Sequence, residues 1–311
     1  RNIYHMKKLI IATSLIISSM GLKAQQDIML SQYMFNGLFL NPAYAGSHKY
    51  VSATLLHRNQ WTGWDGAPKT NIIGIDGPLK NQTMGWGLIF ANDKIGPTTQ
   101  NDIMANYSYH LKLGKGKLSL GLRGGASIVS SNLQGISTVV GGDEAFATNV
   151  KSSFLPKFGT GVYYYTKKYY GGISMPTLIA YDPAKNFNFD LNKSSDARRH
   201  YFITGGYVFE LSEMIKLKPS VLLKYQKAAP LQADINCNVL INDVFWIGAS
   251  YRTNAAVIGI IEYQINPMFR VGYAYDYTTT AINRYSSGSH EIMIGIDLGH
   301  DIMKSKNPRY F

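Results

Sequence analysis

The chain has 311 residues, of which 45% are hydrophobic, 13% aromatic and only 16% charged, with 30 Gly, 22 Tyr and a formal net charge of +12. Soluble domains carry about 25% charge, so this composition fits an ordinary cytoplasmic domain poorly. One cysteine, Cys237, excludes a disulfide framework within the chain. The lysines are spread through putative turns such as "KLGKGKL" and "YTKKYY". The basic excess therefore reads as solvated turns, and nucleic acid is not an expected partner.

At the start, Met6-Lys7-Lys8 precedes "LIIATSLIISSMGLKA". A basic start, a short apolar core and Ala24 before Gln25-Gln26 predict a cleaved secretory signal over Met6–Ala24. Losing residues 1–24 removes Arg1, Lys7, Lys8 and Lys23 and no acid, so the net charge falls from +12 to +8. No other window approaches the ~20 apolar residues of a membrane-spanning helix. Residues 25–48 follow, a segment too irregular for a strand and broken by Asn41-Pro42.

From residue 49 onward the sequence alternates with a period of two. The alternation predicts strands at 49–59, 69–78, 83–93, 99–113, 116–132, 155–165 and 169–176. Seven more are predicted at 198–211, 215–226, 231–241, 244–253, 255–265, 268–278 and 288–299. Most are longer than the 5–6 residues usual in globular sheets and close to the ~9–11 of a tilted membrane strand. In "FRVGYAYDY", Phe269, Val271, Tyr273, Tyr275 and Tyr277 alternate with Arg270, Gly272, Ala274 and Asp276. A small or polar face recurs on strand after strand, as a lumen requires, and the large residues then face lipid.

The connections keep parity. Even-numbered ones are tight ("KNQT", "GKG", "TKK", "SEM", "ND", "NP"), and every long one is odd-numbered: "QWTGWDGAP", 133–154, 177–197 and 279–287. Short periplasmic turns and long surface loops produce that pattern. The expectation is an all-β, antiparallel up-and-down transmembrane barrel of about fourteen strands over 49–299, with a periplasmic tail at 300–311. Tyr164, Tyr169, Tyr170, Tyr251, Tyr275 and Tyr277, near strand ends, are expected at the membrane interface.

Several strings resemble the PorP/SprF family of type IX secretion system outer-membrane proteins. They are "SQYMFNGLFLNPAYAG", "RNQWTGWDGAPKTN", "NDKIG", "GGYVF…KPSVLLKY", "YRTN", "YAYD", "SSGSHEIMIG" and "NPRYF", in family order from about Gln26 to Phe311. The resemblance implies an outer-membrane barrel of a Gram-negative bacterium that does no chemistry. It would assist export in type IX secretion or gliding motility, or hold a large surface adhesin, and some members instead join periplasmic components of the system. The adhesin-partner role is preferred because such paralogues should outnumber a core member.

Candidate functional residues fall in three groups. Tyr33, Asn36, Asn41, Pro42, Tyr44 and Gly46 belong to an N-terminal segment expected to fold back and plug a lumen too wide for its own small side chains. The alternative is a periplasmic leader. In the plug, Leu30, Tyr33, Met34, Phe35, Leu38, Phe39 and Leu40 would be buried, with Asn36 and Asn41 bonding the wall. Arg123, Arg252, Glu262, Arg270, Asp276 and Glu291 are expected to form a lumen-wall charge network, with Arg270 beside Glu291, because unpaired buried charges are costly. Phe146, Tyr181, Phe187 and Phe189, on the long loops, are expected partner contacts. "NPRYF" could dock on a periplasmic partner or on the barrel rim.

Other chemistries find little support. His290 and Glu291 are adjacent on a strand and point to opposite faces, so they cannot share a metal. "GLRGG" and "VVGGDEA" open no helix and make no phosphate cradle, and no nucleophile-elbow string is present. No cofactor is expected. The competing functional class is a plugged transport barrel for a small ligand, which wants an apolar-lined pocket, whereas the predicted lumen faces are small and polar.

Overall fold

The computed structural model describes residues 28–80, 82–134, 150–180, 199–226 and 229–299. Within them the chain forms one antiparallel sheet closed on itself. The first seven strands are β1 (Val51–Asn59), β2 (Lys69–Pro78), β3 (Met84–Ile95), β4 (Thr98–Leu113), β5 (Gly116–Ser131), β6 (Val150–Tyr165) and β7 (Tyr169–Ala180). Then come β8 (His200–Tyr207, resuming after Val208 as Phe209–Glu210), β9 (Ile215–Gln226), β10 (Gln232–Ile241), β11 (Phe245–Arg252), β12 (Ala256–Gln264), β13 (Phe269–Thr278) and β14 (Ser289–Leu298). Each strand pairs with its sequence neighbours, and β1 closes the ring on β14 from Val51↔Leu298 to Asn59↔His290. Closure leaves no sheet edge unpaired, the condition for strands to cross lipid.

All fourteen expected strands are present. The faces fall as the alternation requires. In β4, Ile103, Tyr107, Tyr109 and Leu111 are exposed, while Met104, Asn106, Ser108 and His110 are buried. In β13, Phe269, Val271, Tyr273 and Tyr277 face out, and Arg270, Gly272, Ala274 and Asp276 face in. Large side chains on the outside and polar ones within are the inverse of a soluble protein. Cys237 is exposed on the outer face of β10.

Two expectations need correction. The long loops are shorter than expected, because β6 begins at Val150 and β7 runs to Ala180. Pro176 cannot donate a ladder hydrogen bond, and the β6–β7 register shifts between Phe158 and Thr160, opposite it, before pairing resumes. Tyr170 faces the lumen, since Tyr169 faces out and neighbours on a strand alternate. Ile258 and Ile260, which blur the polar face of β12, are buried in an apolar cluster inside the barrel together with Leu30, Tyr33 and Phe35.

The connection parity is also observed. After even-numbered strands come tight turns such as Gly114-Lys115 and Asn242–Val244, and the long connections follow odd-numbered strands. The rim carrying 60–68 and 279–288 is therefore the outer mouth, and the rim carrying the tight turns is periplasmic.

Candidate functional site: a segment inside the barrel

The site lies within the lumen, where residues 28–47 pack against the wall. Their sequence cannot sustain a long helix, since Gly37, Asn41-Pro42 and Gly46 punctuate it. It makes three single turns instead, Tyr33–Phe35, Gly37–Leu40 and Pro42–Tyr44. Asn41 caps the last turn, its Oδ1 accepting from the Ala43 amide at 2.9 Å. The Asn41 Nδ2 donates to the Val162 carbonyl at 3.0 Å, so one side chain shapes the segment and ties it to β6. Gly46 adopts φ +64°, and a Cβ there would press on the Gly77 and Gly85 backbone, so only glycine fits.

Leu30, Tyr33, Met34, Phe35, Leu38, Leu40 and Tyr44 are all buried, and Phe39 partly so. Withdrawing each large apolar side chain from water contributes about 1.5–3 kcal/mol. Wall glycines make the room: a Cβ on Gly121 would collide with the Ala43 amide, and one on Gly272 with the Gln32 side chain. The residual cavity beside Tyr33, Leu40 and Tyr163 is about 30 Å³, room for about one water.

The wall holds the segment mainly by its backbone. Six carbonyls accept from wall side chains: Leu30 from Arg252, Leu38 and Phe39 from Arg123, Leu40 from Ser174, Ala43 from Ser119 and Ala45 from Ser108, over 2.5–3.1 Å. Three amides donate to wall carboxylates, Ser31 and Gln32 to Glu291 and Gly46 to Asp76, at 2.7–2.9 Å. Buried peptide groups need such partners, and helix or sheet would otherwise supply them. Tyr33 accepts from Asn236 on β10.

The charges form separate groups. The largest centres on Arg58, which donates to Ser31 Oγ at 2.7 Å, Asp276 at 2.7 Å and Glu291 at 3.1 Å. Arg252 pairs with Asp234 at 2.8 Å and lies 3.9 Å from Asp276. Ser31 Oγ donates to Asp276 at 2.7 Å, so the segment is built into this group. Elsewhere Arg123 donates to Asn106 at 2.7 Å as well as to the segment, and Lys157 pairs with Asp102 at 3.3 Å. Lys218, fully buried, lies 5.5–5.8 Å from the ring centres of Phe35, Tyr170 and Trp246.

All six expected network residues are buried: Arg123, Arg252, Glu262, Arg270, Asp276 and Glu291. Of these, the structure brings Arg252, Asp276 and Glu291 together around Arg58. The expected Arg270–Glu291 pair is absent, because the register sets Arg270 opposite Gly295 and Glu291 opposite Ala274. Arg270 pairs diagonally with Asp297 at 2.8 Å. Glu262 stands on β12, opposite Trp246 and Gly272. The Asn36 Nδ2 is buried without a hydrogen-bond partner among the described residues. Pro42 and Tyr44 are buried, Tyr44 edge-on to Tyr163 at 5.7 Å. Phe146, Tyr181, Phe187 and Phe189, the signal over Met6–Ala24 and the tail lie outside the described residues. Arg58, Asp234 and Asp297 are missing from the expected set, although each shares the inward parity of its strand.

At the outer mouth a cavity of about 430 Å³ opens above the segment, lined by Ile28, Met29, Arg58, Trp61, Arg252 and Thr280 among others. Beside it Trp61, Trp64 and Tyr285 stand in a row, their rings tilted to one another with centres 6.0 and 6.2 Å apart.

A closed barrel of long strands, with apolar side chains outside and buried charge within, defines an outer-membrane protein. The family model for the type IX secretion system membrane protein PorP/SprF matches residues 22–296. The chain belongs to that family. Among solved structures it is similar to the outer-membrane protein Omp33 of Acinetobacter baumannii, at 8% identity and TM-score 0.46, covering 81% of this chain and 100% of that one. It is also similar to the CymD monoaromatic hydrocarbon channel, at 13% identity and TM-score 0.48, covering 85% and 93%. A third is the outer membrane phospholipase A of Escherichia coli, at 11% identity and TM-score 0.35, covering 82% and 98%. A search of curated proteins finds no match.

Proposed function

We propose that this barrel is a non-enzymatic scaffold of the type IX secretion and gliding machinery, which anchors or assists export of a surface adhesin or other secreted partner. The observation that carries the reading is the lumen, occupied by the protein's own segment on nine of its backbone groups. A barrel of fourteen strands encloses more space than its small inward side chains fill, and this one spends that space on a plug. What remains for work is its two rims. Partner contacts are assigned to the outer loops, with Phe146, Tyr181, Phe187 and Phe189, and the tight turns are left to periplasmic components. The plug residues Tyr33, Asn41, Tyr44 and Gly46 and the Arg58–Asp276–Glu291 group keep the scaffold shut.

The test is affinity purification of the tagged protein from detergent-solubilised outer membranes, with mass spectrometry of what accompanies it. Recovery of a large surface protein with a C-terminal secretion domain supports anchoring, and recovery of periplasmic envelope proteins moves the role to the core complex. A barrel that comes off alone refutes the scaffold. The outer cavity favours a second reading, a plugged transport barrel, and a conductance that rises with an added small ligand would select it.

A further inference from the structure

Charge is distributed unevenly around the periplasmic rim. Lys112, Lys115 and Lys117 lie at the β4–β5 turn, Lys167 and Lys168 at the β6–β7 turn, and Lys49 just ahead of β1. Lys80, in the β2–β3 turn, extends the run. Neighbouring turns touch, since Tyr164 Oη donates to the Leu113 carbonyl at 3.2 Å. Lys112 stands directly opposite Lys117 in the ladder, and Lys49 adds to the repulsion on Lys117. Among the described residues, only Lys168 of these lysines has an ion-pair partner, Glu210 at 3.2 Å, which begins the next sector of the rim. Asp76, on β2 below this rim, is buried and taken up by the Gly46 amide and His48. Beyond β7 the character changes: Glu210, Glu213 and Asp243 enter, and Lys216 is paired with Asp243. Like charges directly opposite one another destabilise a sheet, and a partner bringing carboxylates would offset that cost.

We infer that the rim from β1 to β7 is a docking surface for an acidic face of a periplasmic protein, seated over the mouth that residues 28–47 fill. Direction favours a soluble partner over lipid. Lys112 and Lys117 share the inward parity of His110 and Ser119, both buried, and so point over the lumen mouth. The lipid-facing positions at that level include Leu111, Leu113 and Tyr169, all exposed and uncharged. Size favours a protein over a single head group or small anion. From β1 to β7 the arc covers six inter-strand spacings of about 4.8 Å, roughly 30 Å in all. A disc of that width matches the ~800 Å² that each partner contributes to a standard protein interface. The inference rests on the scaffold reading and gives the chemistry of its periplasmic partner. Charges of this kind steer the encounter and fix its orientation, and their effect weakens with salt.

Photo-crosslinking of the full chain in intact cells decides it. A photo-reactive amino acid replaces Lys115, and its adducts are compared in three backgrounds: the parent, a triple variant with Lys112→Gln, Lys117→Gln and Lys167→Gln, and a control with Lys69→Gln and Lys94→Gln. The control lysines also stand opposite one another, but at the outer rim. Heat-modifiable gel migration checks that each barrel is folded. The expected result is a discrete adduct with a periplasmic protein whose crosslinked face is acidic. At about twofold for each exposed charge pair, the triple variant should give roughly eightfold less adduct and the control an unchanged amount. If the triple variant misfolds, Lys117→Gln alone, which relieves the repulsion, should lose about twofold. No adduct, an adduct of lipid or peptidoglycan only, or a protein adduct undiminished by the substitutions would overturn the inference. The scaffold reading fails separately. A barrel that purifies alone refutes it, whereas a partner captured equally by the parent and the triple variant leaves the scaffold standing and removes this surface.

Discussion

Replacing Arg58 by Met should be among the most damaging single changes inside this barrel. The side chain is 4% exposed and bridges Ser31, Asp276 and Glu291 within 3.1 Å. Methionine fills a similar volume, so packing changes little and the charge alone is removed. Glu291, fully buried, keeps two amide donors, and Asp276 keeps Ser31 Oγ and a distant Arg252. Two carboxylates then share a low-dielectric space with too few cations. Breaking a buried pair by removing one partner costs about 3–5 kcal/mol. At 1.36 kcal/mol per decade this is about a hundredfold to several thousandfold in the folded-to-unfolded ratio. Urea unfolding of the barrel in lipid vesicles measures it, with Lys168→Met as the reference. That lysine pairs with Glu210 on the surface, both about half exposed, and should contribute at most about 1 kcal/mol. Adding Asp276→Asn and Glu291→Gln to Arg58→Met should recover much of the loss. An Arg58→Met variant as stable as Lys168→Met would refute the reasoning.

The lumen and the lipid face make further distinct predictions. Gly121→Val puts side-chain atoms where the Ala43 amide lies, so it should unseat the segment and raise single-channel conductance, while Gly259→Val, in open space on the outer face, should leave conductance unchanged. Arg123→Met removes two donors to the segment and should also make the barrel leak. Arg270→Met breaks a pair confined to the wall, so it should lower stability in the same urea assay without a leak. Ile235→Arg, mid-strand on the lipid face, should cost about 2–4 kcal/mol of stability in vesicles.

The barrel was legible because its constraint is local and repeated. A period of two on every strand, and connection lengths that keep parity, report the two faces and the two rims without any knowledge of long-range contacts. The inward placement of all six expected charges followed from the same parity. Which charge meets which did not follow. Arg270 stands opposite Gly295, four residues along β14 from Glu291 and two from Asp297, and register is set by turns and packing that the alternation does not encode. Arg58 shares its inward face with Ser52, Thr54 and Leu56 in "VSATLLHRN", but nothing in that parity singles it out as the centre of a charge group. Tyr169 and Tyr170 look alike to a compositional rule but, as neighbours on a strand, must face opposite ways. The wall at Gly121 and Gly272 is shaped around Ala43 and Gln32, a fit between distant segments that alternation along one strand does not encode.

The central claim, that residues 28–47 close the lumen, is tested most directly in planar lipid bilayers. The intact protein and a variant lacking 28–47 would be reconstituted at equal amounts and their single-channel currents compared. The account predicts a silent intact barrel and discrete open steps once the segment is gone. An intact barrel that conducts freely, or a folded deletion variant as silent as the parent, would contradict it.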